Sequence, residues 1–151
     1  MKFLCDEMLG TLAKWLRILG YDTEYVKDRD DDELLKIARE EGRIIITRDK
    51  LLARKAGNAL YLSESSLEKQ IASVLEYFNL KIDDDKLLSR CTICNEIVVP
   101  IEKEKIKEKV PENAWESHDK FWICPKCGRI YWMGSHWKNM KERIEKIRKL
   151  P

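Results

Sequence analysis

No long hydrophobic run, no internal repeat and no low-complexity tract occurs in this 151-residue chain. Nothing approaches the ~20 apolar residues that a bilayer-spanning helix requires, so a membrane-embedded protein is excluded. The opening stretch MKFLCDEMLG places Cys5, Asp6 and Glu7 where the apolar core of a secretory leader would lie. A soluble, cytoplasmic protein is expected. A large excess of one charge is also missing: 29 Lys and Arg oppose 27 Asp and Glu, for a net +2. At 44% hydrophobic the chain is too apolar to be disordered.

The small net charge conceals an asymmetry. Residues 1–89 carry −3 and residues 90–151 carry +5. A change of pattern falls at the same place. The first part alternates short apolar strands with helical periodicity: strand 2–5, helix 8–19, strand 23–26, helix to Glu41, strand 44–47, helix 50–56, strand 59–62, then a helix opened by Ser65-Ser66-Leu67-Glu68. Ile44-Ile45-Ile46-Thr47 is β-branched at every position, as a central parallel strand would be. Such alternation predicts an α/β fold, a parallel sheet with helices on both faces. Past Leu80 no strand-helix unit remains, which predicts two parts, residues 1–85 and 86–151. The second contains the charged run 102–109, read as a solvated excursion, and a basic terminal helix from about Ser135 with Trp137, Met140, Ile144 and Ile147 on one stripe.

Four of the five cysteines fall as Cys91-Thr-Ile-Cys94 and Cys124-Pro-Lys-Cys127. Four thiolates at this spacing suit a tetrahedral, structural Zn²⁺, with two disulfides or free thiols as the alternatives. In such knuckles the residue after the second cysteine commonly adopts positive φ. Asn95 and Gly128 stand there, the types that tolerate it best. Zinc would hold together a small lobe that could not bury enough surface alone.

In a parallel sheet, ligands gather at the carboxyl ends of the strands. Asp6 follows the first strand, Asp31 opens the helix after the second, and Asp49 follows the third. Converging carboxylates repel one another unless a hard cation lies among them, and oxygen-only ligation selects Mg²⁺ or Mn²⁺. Taken singly, each acid has an ordinary reading as a helix N-cap. The joint placement on one edge favours a site. Lys14, Arg17 and Arg48, with Arg54 and Lys55 beyond Asp49, supply cations that a phosphate backbone would need near such acids. Trp132 and His136 could stack on or bond to bases; alternatively, Trp132 and Trp137 pack the last helix against the cysteine lobe.

Together these motifs are familiar. Cys5-Asp6-Glu7-Met8-Leu9, Leu12-Ala13-Lys14-Trp15-Leu16-Arg17, Asp31 to Leu35 and Ile46-Thr47-Arg48-Asp49 resemble PIN-like nucleases. With the cysteine pairs and the segment Gly128 to Trp137, the chain resembles the C-terminal ribonuclease domain family first delineated in the Mut-seven exonuclease, a PIN-like domain with a zinc ribbon. The resemblance implies metal-dependent hydrolysis of RNA, with Asp6, Asp31 and Asp49 as catalytic and metal-holding acids. The resemblance adds Arg48 as a phosphate or acid partner; by the residue reading above, Lys14, Arg17, Arg48, Trp132 and His136 would bind substrate, and Cys91, Cys94, Cys124 and Cys127 would hold zinc. A fourth acid, frequent in PIN nucleases, finds only Glu64 in its corresponding stretch. That gap leaves a noncatalytic RNA-binding or ribosome-associated module as the alternative. RNA is the expected partner, a homodimer is left open, and no membrane is involved.

Overall fold

Strands too short to be stable alone are made stable here by pairing between helical layers, as a computed structural model shows for residues 1–150. β1 (Lys2–Cys5), β2 (Asp22–Tyr25), β3 (Ile44–Thr47) and β4 (Ala59–Tyr61) form one parallel sheet in the order β2-β1-β3-β4. Each is followed by a helix: α1 (Gly10–Ile18), α2 (Asp31–Glu41), α3 (Lys50–Ala56) and α4 (Leu67–Tyr77). Alternate side chains of the central strands serve opposite faces. Phe3, Cys5 and Ile46 join α1 and α4 in one apolar core, while Leu4 and Ile45 meet Leu34, Ala38 and Leu52 of α2 and α3 in the other.

The first helix is shorter than its periodicity suggests, because a 3-10 turn over Glu7–Leu9 precedes it. Gly20 ends it at φ +94°, where an added Cβ would stand 2.6 Å from the Lys86 carbonyl oxygen. The fourth helix begins one residue later than the Ser65 box implies. Ser66 is its N-cap and accepts from the Lys69 amide.

The second part holds an antiparallel sheet of β5 (Val99–Ile101), β6 (Phe121–Ile123) and β7 (Ile130–Tyr131), with α5 (Glu112–Ser117) inserted between the first two. Neither β6 nor α5 is legible in the sequence, since three and six residues are too few to show a period. The charged run 102–109 is mostly exposed but pinned. Ile106 is fully buried, and Trp115 donates to the Lys103 carbonyl at 2.8 Å while Lys103 and Lys107 lie over its ring.

The last helix, α6 (Ser135–Arg148), changes the picture of two separate parts. Its Trp137, Ile144 and Ile147 belong to the same core as α1 and α4. The helix grouped with the cysteine lobe by sequence therefore completes the larger sheet layer. Further bonds join the halves, including the Leu88 amide to the Ile18 carbonyl at 2.8 Å. Among the described residues no helix is long and apolar enough to cross a membrane.

Candidate active site and metal centre

The β2-β1-β3-β4 order places chain reversals on either side of the β1/β3 pair, and it is past the ends of these two strands that open α/β sheets bind ligands. Asp6 leaves β1 there. Its side chain makes no cap bond to the turn that follows. Instead the Thr47 hydroxyl at the end of β3 donates to Asp6 Oδ2 at 2.5 Å, and accepts from the Asp49 amide at 2.9 Å. Asp6 is only 8% exposed, and its Oδ1 is the one buried side-chain nitrogen or oxygen, among the described residues, without a hydrogen-bond partner. Burial raises the Asp6 pKa above the ordinary carboxylate value, and the charges of Asp49 and Asp31 add to the rise. The Thr47 hydroxyl opposes it, as does the dipole of the nearby Met8 amide, which makes no hydrogen bond to the carboxylate.

The ordinary cap reading divides the three acids. It holds for Asp49, whose Oδ1 accepts from the Leu51 and Leu52 amides at 2.9 and 3.2 Å. It fails for Asp6. It fails also for Asp31, because Asp30 is the N-cap of α2 and accepts from the Glu33 amide. Asp31 instead lies 3.5 Å from Lys55 of α3, across the edge. The three acids share one end of the sheet, but they do not form a compact ligand group of the kind the cysteines make.

The basic and aromatic candidates separate by environment. Arg17 does not belong on a solvent-facing binding surface. It is 7% exposed, its Nε donates to the Thr23 carbonyl at 2.8 Å, and its Nη1 donates to the carbonyls of Thr92 and Ile93 at 2.9 and 3.2 Å. Helical periodicity places it on the polar face of α1 but cannot show that the first cysteine knuckle covers that face. Arg48 reaches the Ser63 carbonyl at 3.3 Å. Lys14, Trp132 and His136 line one cavity between α1, β7 and α6. Sequence reasoning misses Thr47 as the partner of Asp6, and it misses the exposed Met8 in the turn after Asp6, Leu51 in the first turn of α3 and Tyr61 at the end of β4.

The cysteines converge. Their four sulfurs lie within 4.8 Å of one another, and Cys91 and Cys127 Sγ are 3.7 Å apart. Tetrahedral Zn–S bonds of about 2.3 Å require sulfurs roughly 3.8 Å apart, so the donor set fits zinc. Asn95 and Gly128 hold φ of 68° and 79° as the spacing anticipates. The amides of Cys94 and Cys127 then point at the Cys91 and Cys124 sulfurs, at 3.4 and 3.5 Å. Tyr131 adds an outer support by donating to Cys91 Sγ at 3.1 Å. Burial alone would raise the Cys91 pKa, yet the Tyr131 hydroxyl and nearby amides draw it down to about 7. Cys94 is pushed up to about 12, first by its bond with the Cys127 thiol and then by burial and the neighbouring thiolates. Four thiolates this close need a cation among them.

Asn95 also joins the two halves. Its Oδ1 accepts from the Thr23 amide at 3.0 Å, and its Nδ2 donates to Asp22 Oδ1 at 2.6 Å. Thr23 is on the edge strand β2, so Asn95 and Arg17 between them satisfy a backbone amide and carbonyl that a sheet edge would otherwise expose. Arg43 completes the junction through a 2.7 Å ion pair with Asp22.

Comparison with known proteins yields three findings. The human exonuclease mut-7 homolog is 35% identical over 101 residues, covering 62% of this chain and 12% of the human protein, so the chain spans only a small fraction of that relative. No solved structure matches. The family model described as the Mut7-C RNAse domain matches residues 1–144. With that match spanning both the acidic edge and the cysteine cluster, the chain belongs to the Mut7-C RNAse domain family.

Proposed function

We propose that this protein hydrolyses phosphodiester bonds of single-stranded RNA at the carboxyl edge of its parallel sheet. Asp6 is the central group, and Asp31 and Asp49 join it in holding Mg²⁺ or Mn²⁺. The observation that carries this reading is the unpartnered, buried Oδ1 of Asp6. A buried polar atom left without a partner costs free energy, and native structures keep such atoms where function uses them. The family and the human relative, whose names are those of an RNase domain and an exonuclease, support nuclease chemistry.

The chain's own residues have separable roles in this proposal. Thr47 fixes Oδ2 of Asp6, and the Asp49 amide fixes Thr47, so that Oδ1 keeps one orientation. Lys55 holds Asp31 toward the edge. Arg48 and Lys14 attract the phosphate backbone that the acids alone would repel. A divalent cation, when bound, would lower the pKa of a water and offset charge on the phosphoryl oxygens. The four-cysteine centre has no open position for chemistry, so its part is structural, with the lobe it holds positioning the strand.

The test is cleavage of end-labelled single-stranded RNA in Mn²⁺ by the wild type and Asp6→Asn. The variant is expected to be slower by roughly 100-fold or more, as loss of several kcal/mol of transition-state stabilisation requires. Equal rates would remove the assignment. The second reading, a noncatalytic RNA-binding or ribosome-associated module, draws on the Lys55 pair with Asp31 and the capping duty of Asp49. It expects RNA binding without cleavage by either protein, and zinc without a second, carboxylate-held divalent ion.

A further inference from the structure

Away from the acids, the sheet layer and the cysteine lobe enclose a cavity of about 280 Å³ where α1, β7 and α6 meet. Its wall combines three kinds of surface. Lys14 of α1, Arg129 just before β7 and His136 in the first turn of α6 bring basic or protonatable nitrogens. Tyr131, Trp132 and Trp137 bring aromatic rings. No carboxylate lines it, although 27 of the 151 residues are acidic, and the first turn of α6 is free of acids. Lys14, Arg129 and His136 are exposed, and the charges of Lys14 and Arg129 are not consumed by ion pairs among the described residues.

Local packing sets the position of the wall. Gly134 stands against the Trp132 indole, and a Cβ there would come within 3.0 Å of the ring nitrogen. Trp132 also rests on Phe121, with centroids 6.1 Å apart, which fixes the plane of its ring. Arg129 lies over the Tyr131 ring at 6.0 Å, and Tyr131 is anchored to Cys91. The wall is therefore braced by the zinc lobe, not carried on a loose loop.

We propose that this cavity seats one unpaired nucleotide of an RNA strand, its base against the Trp132 wall and its phosphate among Lys14, Arg129 and His136. The proposal rests on RNA as the substrate and adds a binding site apart from the acids. A volume near the low end of ligand pockets holds a single nucleotide but not a stacked run or a duplex. Aromatic rings reward an exposed base face, and the missing carboxylates remove the repulsion that a phosphate would meet elsewhere on the chain. α1 begins at Gly10, after the turn that follows Asp6, and Lys14 lies four residues along it, about 6 Å at 1.5 Å per residue.

Fluorescence anisotropy of a labelled ten-nucleotide single-stranded RNA, measured on zinc-loaded Asp6→Asn protein, tests this without interference from cleavage. Adding Lys14→Ala and Arg129→Ala together is expected to weaken binding at least tenfold and to flatten the salt dependence by about 0.7 in log–log slope, for the one phosphate no longer neutralised. Adding Trp132→Leu instead is expected to weaken binding about fivefold or more with the slope unchanged. Unaltered circular dichroism and zinc content establish that each variant is folded. A blunt RNA duplex, which cannot offer an unpaired nucleotide, is expected to bind all of these proteins alike. Single-strand affinity unchanged by the substitutions, or equal losses for single strand and duplex, would overturn the pocket. Neither outcome touches the nuclease reading, which stands or falls on cleavage by the wild type.

Discussion

Asp6 is held by one oxygen and released at the other. Thr47 satisfies Oδ2, nothing satisfies Oδ1, and burial together with Asp49 and Asp31 raises its pKa. A carboxyl whose folded pKa is raised is more easily protonated when folded than when unfolded. Its ionisation therefore adds no penalty below the ordinary carboxylate value, and the penalty grows as pH rises through the folded value and stays at higher pH. Asp6→Asn removes the charge while keeping the shape. The variant is expected to melt about 2–4 °C above the wild type at pH 7 without divalent ions, the shift that ~1 kcal/mol gives in a chain of this size. The gap should close below about pH 3, where the carboxyl is protonated in both states. Thermal melts across this range check it, and a variant less stable at pH 7 would show that the carboxylate is structural. Asp6 is legible in the sequence from its place after a strand. Its missing partner is not, because that depends on Thr47, 41 residues away.

At the scale of elements, the turn after Cys94 does two jobs. Asn95 accepts positive φ so that the knuckle closes, and its amide covers the outer edge of β2 while binding Asp22. The first job follows from local stereochemistry and can be read from Cys-x-x-Cys-Asn. The second joins residues more than 70 positions apart, which no local pattern records. The two separate by substitution. Asn95→Gly keeps the backbone freedom and loses the bonds, at an expected cost of ~1–2 kcal/mol. Asn95→Ala loses both, and should cost about 1 kcal/mol more. Denaturant titration orders them. Equal stability of the two variants would mean that the left-handed backbone at 95 contributes nothing to the knuckle. Arg17 repeats the lesson from α1: spacing places it on a polar face, and the fold buries that face under the carbonyls of Thr92 and Ile93.

For the molecule as a whole, the sheet layer and the cysteine lobe share packing and hydrogen bonds. α6 passes from the lobe into the core of the sheet layer, and the first knuckle covers the edge of β2. Loss of a metal held by the four cysteines should therefore propagate. A chelator is expected to release one zinc per chain and to speed hydrogen exchange at the β2 amides as well as within residues 91–131, because thiolates without their cation repel and the knuckle opens. Exchange confined to the lobe would show that the two parts are energetically independent.

The sequence by itself determined what local chemistry can encode: strand–helix alternation, the stops between them, the cysteine spacing with Asn95 and Gly128 behind it, and the acids at strand ends. Each depends on residues a few positions apart, whose backbone preferences act without the rest of the chain. Only the tertiary structure decided that Arg17 is withdrawn from solvent, that α6 completes the sheet layer's core, that Tyr131 supports Cys91, that one oxygen of Asp6 is left unpaired, and that Lys14 and Trp132 share a cavity. These depend on which distant groups exclude water from one another, and burial of that kind is a property of the packed chain, not of any segment within it.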